Sequence, residues 1–328
     1  MSLDALLRDV SRSFYLTLRA LPSAIRPQIG LAYLLARATD TIADTDLVPL
    51  EIRLQALRQL RARILGEDSA ALDLGAMAKS QASPAEATLL ARHGEAVMAL
   101  NAFSEADRRR VRDVLTIIIG GQELDLRRFA GASARHINAL ATEAETDDYT
   151  YRVAGCVGEF WTRMCRAHLF PNAPLDDAFL MENGVRFGKG LQLVNILRDL
   201  PKDLQQGRCY LAAETLAAAG LAPSDLVESE NEPRFRPVYH GWLAKAEGHL
   251  AAGWDYTNAL PRGCVRVRLA CAWPLLIGIK TVQRLRGANV LDASQRVKIS
   301  RADVRGILAR SVLYYPWQSA WNRLFPRP

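Results

Sequence analysis

The sequence predicts an all-α protein, built as a single large helical domain over residues 1–328. Three observations carry this reading. Apolar residues recur with helical period along most of the chain. Ala, Leu, Arg and Glu are abundant, and alternating Val/Ile/Thr runs of the kind strands need are nearly absent. Turn signals are also widely spaced: "LPSAIRP" (21–27), "GEDS" (66–69), "QASPAEA" (81–87), "LFPNAPLDD" (169–177), "AAGLAPSD" (218–225), "NEPRFRP" (231–237) and "LPRG" (260–263). They divide the chain into roughly ten helices, with the polar, proline-bearing stretch 225–237 expected as an exposed loop.

Composition narrows the class further. With 49% hydrophobic residues the chain can bury a large core. Cys156, Cys165, Cys209, Cys264 and Cys271 contain no CxxC pair and read as reduced, packed thiols of a cytoplasmic protein. A net charge of +7 points to a polyanionic partner: phosphate, nucleic acid or an anionic membrane. The arginines are scattered along helices, and "RRRVR" (108–112) reads as a solvated helix face, so no nucleic-acid partner is expected. The N-terminal segment lacks a signal-peptide pattern, and the longest apolar run (269–279) is too short to span a bilayer. The expectation is a soluble protein or one peripheral at the inner face of a membrane.

The first chemical element is "LARATDTIADT" (35–45), on a helix expected over about 28–45. Tyr33, Arg37, Asp40 and Asp44 follow steps of four, three and four and form one polar stripe. Two carboxylates at i,i+4 repel by about 0.2–0.5 kcal/mol. Alone, such a stripe reads as a solvated face. A second stripe changes the reading: in "GKGLQLVNILRDLPKDLQQGRCYL" (188–211), Gln192, Asn195, Asp199 and Asp203 share a face at i, i+3, i+7 and i+11. Leu191, Leu193, Val194, Ile196, Leu197 and Leu200 surround them, and buried carboxylates need compensation. Oxygen ligands without thiolate or imidazole suit Mg²⁺. Pro201 is expected to remove the hydrogen bond to the Leu197 carbonyl and kink the helix, swinging Asp203 off the Asn195–Asp199 line. Two such faces opposed across a helical cavity can hold a diphosphate through bridging metals, with Arg12, Arg37, Arg198 and Arg208 adding positive charge. His93, His136, His168, His240 and His249 have no ligand spacing.

Four stretches in order resemble the squalene and phytoene synthase type of trans-isoprenyl diphosphate synthases. "SRSFYLTLRALP" (11–22) resembles the family's Ser-Arg-Ser-Phe segment, and "YLLARATDTIADT" (33–45) its first aspartate motif. "DDYTYRVAGCVGEFW" (147–161) resembles the Tyr-x-x-x-Val-Ala-Gly-x-Val-Gly stretch, in which Gly155 and Gly158 are expected to permit close packing. "NILRDLPKDLQQGRCYL" (195–211) resembles the second aspartate motif. "RVKISRADVRGIL" (296–308) and "LACAWPLLIGIK" (269–280) are similar to squalene synthase segments. Departures are Ala43, where many eukaryotic enzymes have Glu, Ser300–Arg301 in place of Arg-Lys, and Ala270 in place of an aromatic residue.

The resemblance implies an isoprenoid synthase fold with a central cavity, and Mg²⁺ held by Asp40, Asp44, Asn195, Asp199 and Asp203. It implies diphosphate binding by Ser11, Arg12, Ser13, Phe14, Tyr33, Arg37, Gln192, Arg198 and Arg208. Two farnesyl diphosphates would join head-to-head through presqualene diphosphate, with NADPH near Lys298 and Arg301 reducing it to squalene. Tyr149 is the candidate base, a diphosphate oxygen the alternative, and Phe14, Tyr15 and Tyr33 offer faces to a carbocation. The alternative is a non-reductive relative releasing dehydrosqualene, phytoene, presqualene diphosphate or hydroxysqualene. A helical scaffold without turnover is the reading from another class, and the intact stripes count against it. The tail 314–328, with Trp317, Trp321, Leu324, Phe325, Arg323 and Arg327, fits either a membrane surface or packing on the protein body.

Overall fold

The structure, a computed structural model, describes residues 2–11, 14–292, 294–295 and 297–326, and of Phe14 only the backbone. Arg12, Ser13 and Arg327 of the sequence reading lie outside the described residues. Sixteen α-helices are found among the described residues. The chain divides into two compact units, residues 1–127 with 160–172, and residues 128–159 with 173–328.

The first unit carries α1 (Leu3–Ser11), α2 (Phe14–Ala20), α3 (Arg26–Ala43), α4 (Leu50–Leu65), α5 (Gly75–Lys79), α6 (Pro84–Ala91), α7 (His93–Ala99) and α8 (Glu105–Arg128), the last ending at the unit boundary. Its interior includes Leu6, Leu18, Leu21, Ile25, Leu35, Ile42, Leu57 and Leu60, all essentially inaccessible. Helix α3 starts with Pro27 in its first turn, where a missing N–H is harmless. It buries Ile29, Leu31, Leu34, Leu35, Ala38 and Ile42. The helix ends at Ala43, and Asp44 caps it by donating its backbone N–H to the Asp40 carbonyl. Short helices such as α5, α6 and α7 account for the excess over the expected number, because Ser83 and Pro84 start a new helix where the sequence reads simply as a turn.

The second unit carries α9 (Glu143–Thr150), a π-helical turn (Tyr151–Gly155), the start of α10 (Cys156–His168), α11 (Asp177–Gln205), α12 (Ala213–Ala218), α13 (Glu232–Ala259), α14 (Val265–Leu285), α15 (Arg301–Tyr314) and α16 (Gln318–Asn322). A two-residue parallel pair joins β1 (Asn138–Ala139), just before α9, to β2 (Arg208–Cys209), just after α11. Helix α11 starts at Asp176, whose carboxylate accepts the Phe179 N–H at 2.9 Å. Its apolar positions Leu193, Val194, Ile196, Leu197, Leu200 and Leu204 join Leu243, Leu250 and Trp254 of α13 and Leu275, Ile279 and Val282 of α14 in one core.

Glycines set how closely this core is crossed. A Cβ on Gly158 would overlap the Gly184 backbone, and one on Gly188 would overlap the Ala154 backbone. The π-turn and the start of α10 therefore run antiparallel against α11 with backbones in contact, consistent with the close packing expected at Gly158.

The stretch 225–237 differs from the expected exposed loop. It forms 3₁₀ turns at Pro223–Val227 and Ser229–Asn231, then enters α13, with Leu226, Glu232 and Phe235 buried. Pro233 sits in the first turn of α13, so its presence starts a helix rather than excluding one. The five cysteines are thiols, four buried and Cys264 half-buried. Burial pushes the Cys156 and Cys209 thiols up to about 12. No described helix is long and apolar enough to cross a membrane.

In the tail, Trp321 and Phe325 are buried and stack on Trp254 at 5.1 and 5.5 Å. Trp321 Nε1 and Arg268 Nη2 both donate to Asn258 Oδ1. Trp317, 58% exposed, does not share that burial.

Replacing Gly158 with Ala should lower unfolding free energy by about 1–3 kcal/mol, because the backbone of Gly184 cannot yield as a side chain would. Gly241→Ala, in open space on α13, should be neutral or stabilising by up to about 1 kcal/mol. Urea denaturation of both variants measures the contrast.

Candidate functional site

The first stripe lies on α3. Tyr33, Arg37 and Asp40 are half-buried and Asp44 is exposed, while Leu34, Leu35, Ala38, Thr39, Thr41 and Ile42 between them are buried. Arg37 forks between two carboxylates, pairing with Asp40 through Nη1 and with Glu86 of α6 through Nη2. Burial pulls the Arg37 guanidinium down, but Asp40 and Glu86 outweigh it and hold it above its ordinary value. The repulsion between Asp40 and Asp44 is thus partly offset before any ligand arrives. Ser11 is buried and donates its hydroxyl to the Leu7 carbonyl within α1.

The second stripe lies on α11. Gln192, Arg198, Asp199 and Asp203 are half-buried and Asn195 is exposed, each beside buried aliphatic positions. Arg198 donates to both oxygens of Asp199, Nε at 2.9 Å and Nη2 at 2.6 Å. Hydrogen bonding to Asp199 raises the Arg198 guanidinium above its ordinary value, burial opposes it, and the charge of Asp203 adds to the rise. Asn195 Nδ2 lies 3.5 Å from Gln192 Oε1. Arg208, on β2, is half-buried.

Pro201 does not end the helix. Helix α11 continues through Pro201 to Gln205 and keeps Asp203 one turn after Asp199. The Leu197 carbonyl, which lacks its proline donor, instead accepts the Tyr239 hydroxyl of α13 at 3.0 Å.

Beside the second stripe, Tyr149 is half-buried and stacks on Tyr210 at 4.6 Å, and Tyr210 meets Phe129 edge-on at 5.0 Å. The π-turn that follows Tyr149 is an irregularity often found at functional positions. Lys189, one turn before Gln192, reaches both carboxylate oxygens of Asp147 at 2.7 Å and ties α9 to α11.

The donor set fits Mg²⁺. The carboxylates and amides of the two stripes offer oxygen as ligand atoms, with no thiolate or imidazole among them. Among the described residues no three His, Cys, Asp or Glu side chains gather into a metal-holding group. Mg²⁺ takes oxygen ligands, commonly one or two carboxylates with waters and substrate phosphates. Lys298 is exposed, and its carbonyl accepts from Arg284. Ser300 and Asp303 form a capping box for α15, and Lys280 and Arg284 each bond Asp303 at 2.6 Å. The Lys280 hydrogen bond, with that of Ser300, holds the Asp303 carboxyl far below the usual range. Arg301 is the exposed first residue of α15.

Residues 7–303 match the squalene/phytoene synthase family model. The chain belongs to that family. It is 31% identical over 254 residues to a presqualene diphosphate synthase of Rhodopseudomonas palustris, covering 77% of each chain. It is 29% identical over 253 residues to a presqualene diphosphate synthase of Zymomonas mobilis subsp. mobilis, covering 77% of this chain and 74% of the relative. The complex of TcSQS with the ligand BPH1237 superposes with a TM-score of 0.76 at 22% identity, over 98% of this chain and 88% of that one. This structural likeness shows the all-α isoprenoid synthase fold.

As a squalene/phytoene synthase family member, the chain carries site neighbours that sequence reasoning missed. Glu86 stands three residues after Ser83, so "SPAE" reads as a helix-capping box. Ser83 does accept the Glu86 N–H, while the Glu86 carboxylate goes to Arg37. Asp147 and Lys189 are far apart in sequence, and no local pattern pairs them. Tyr239 had no polar pattern at all; only the proline four residues after Leu197 signalled that some donor was needed.

His249 supplies a pH test. Burial, with the nearby charges of Arg186 and Lys189, lowers its imidazole from 6.5 to about 4, against the opposing effect of Asp147. The unfolded chain therefore takes up this proton first as pH falls. Its contribution to stability is whole above pH 6.5 and is lost as pH drops toward 4. Urea unfolding at pH 7, 5.5 and 4.5 should show that decline, and His249→Gln should flatten it.

Proposed function

We propose that this chain joins two farnesyl diphosphates head-to-head, releasing pyrophosphate and forming presqualene diphosphate. The observation that carries the reading is the pair of carboxylate stripes, each set in an apolar helix face and each with its own arginine. Two relatives at 29–31% identity named presqualene diphosphate synthase support the product.

Asp40 and Asp44 on α3, and Asn195, Asp199 and Asp203 on α11, would hold Mg²⁺. When bound, Mg²⁺ supplies Lewis-acid charge that neutralises the departing diphosphate. Arg37 and Arg198 hold the carboxylates in fixed directions and present further charge to phosphate oxygens. Gln192 adds an amide, and Ser11, Tyr33 and Arg208 complete the expected polar lining. Tyr149 would take the proton lost when the cyclopropane closes, with a diphosphate oxygen as the other acceptor. Its stack with Tyr210, which meets Phe129 edge-on, would offer aromatic surface to a cation.

A second reading carries the product on to squalene with NADPH. It is favoured by the segment before α15, where the Asp303 anchor leaves the Lys298 ammonium exposed for a cofactor phosphate. Exposed Val312, Leu313 and Trp317, on a stretch that contains no Asp or Glu after Asp303, support a peripheral contact with an anionic membrane, at the inner face of a cytoplasmic membrane.

Mass spectrometry of the product from farnesyl diphosphate and Mg²⁺, with and without NADPH, tests these readings. Presqualene diphosphate in both conditions supports the first, squalene only with NADPH supports the second, and no pyrophosphate release defeats both. Asp40→Asn and Asp199→Asn should each slow pyrophosphate release by about a hundredfold or more. Trp317→Ser should weaken sedimentation with phosphatidylglycerol vesicles; unchanged sedimentation rejects the membrane contact.

A further inference from the structure

A proline inside a helix leaves the carbonyl four residues earlier without its donor, and its ring crowds that carbonyl. In α11 the proline is Pro201 and the carbonyl belongs to Leu197, a fully buried residue. A buried carbonyl left without a partner weakens the fold around it. The donor comes from α13: the Tyr239 hydroxyl bonds the Leu197 carbonyl at 3.0 Å. Tyr239 is itself 2% exposed, its ring is tilted against Phe235 at 5.5 Å, and burial pushes its phenol well above the ordinary value. It therefore keeps its proton and remains a donor.

The location of this repair gives it functional weight. Pro201 stands between Asp199 and Asp203, at the point where an unrepaired helix would turn one carboxylate away from the other. The helix instead runs on to Gln205, and Asp199 and Asp203 both act on the charge of Arg198.

We propose that Tyr239 is a positioning residue for the second acidic stripe. Its hydroxyl replaces the N–H that Pro201 lacks, keeps the final turns of α11 in register, and thereby sets the affinity for magnesium pyrophosphate. The inference rests on the reading of Asp199 and Asp203 as the row that holds diphosphate through Mg²⁺.

The test is calorimetric titration of the full chain with magnesium pyrophosphate, alongside urea unfolding, for Tyr239→Phe, Pro201→Ala and the double variant. Tyr239→Phe should weaken binding about tenfold, within the usual range of coupling between linked sites. Alanine at 201 restores the backbone N–H, so Tyr239→Phe made in that background should change the affinity by less than about twofold. A tenfold loss that persists with alanine at 201, or an unchanged affinity for Tyr239→Phe with Pro201 in place, overturns the proposal. If Tyr239→Phe alone does not fold, a folded and binding double variant supports it, and a double variant that also fails to fold rejects it. Asp203→Asn separates the underlying reading: wild-type affinity there removes Asp203 as a ligand, whereas the proline-dependent loss is scored independently of it.

Discussion

The second unit depends on α11 remaining one uninterrupted helix. Its 29 residues carry Gln192, Asn195, Asp199 and Asp203 at i, i+3, i+7 and i+11. Two physical devices preserve it. On one side, bare glycine backbones at 158, 184 and 188 let the π-turn and the start of α10 lie directly against it. On the other, the Tyr239 hydroxyl satisfies the carbonyl that Pro201 strands. An amide or hydroxyl buried without such a partner costs of order 1–3 kcal/mol, a large share of the stability margin of an ordinary domain.

The carboxylates of both stripes solve a common problem in similar ways. A half-buried anion on an apolar helix is unfavourable unless compensated. On α3 the compensation is Arg37, shared between Asp40 and Glu86; on α11 it is Arg198, gripping Asp199 with both arms. These guanidiniums are planar donors suited equally to carboxylate and phosphate. The pairs therefore stabilise the protein without ligand and keep cationic groups beside the positions proposed for diphosphate. The Lys189–Asp147 pair extends the pattern by joining the second stripe to the helix that carries Tyr149.

The tail shows how position alters the meaning of an aromatic residue. Trp317 and Trp321 are one turn apart in sequence, yet only Trp317 is exposed. Trp321 and Phe325 stack on Trp254, and the Arg268 guanidinium lies 5.5 Å from the rings of Trp321 and Tyr315. Burial lowers the Arg268 guanidinium below its ordinary value despite the opposing influence of Tyr315. The basic and aromatic composition of the tail is thus divided between an internal anchor and a surface.

The sequence alone determined the helical class, the two polar stripes, their oxygen-ligand chemistry and the motifs shared with the squalene/phytoene synthase family. These are local properties: a period of 3.6 residues places i, i+3, i+4 and i+7 on one face whatever lies beyond it. Tertiary structure decided what required a partner from elsewhere in the chain. The Glu86 carboxylate reached Arg37 while only its N–H served the Ser83 cap, and the stretch 225–237 packed inward with Phe235 buried. Helix α11 continues through Pro201, and Tyr239, 38 residues away in sequence, supplies a donor to the carbonyl the proline strands. A buried donor or acceptor can be satisfied by any residue the fold brings near, so its partner is set by packing and not by local pattern.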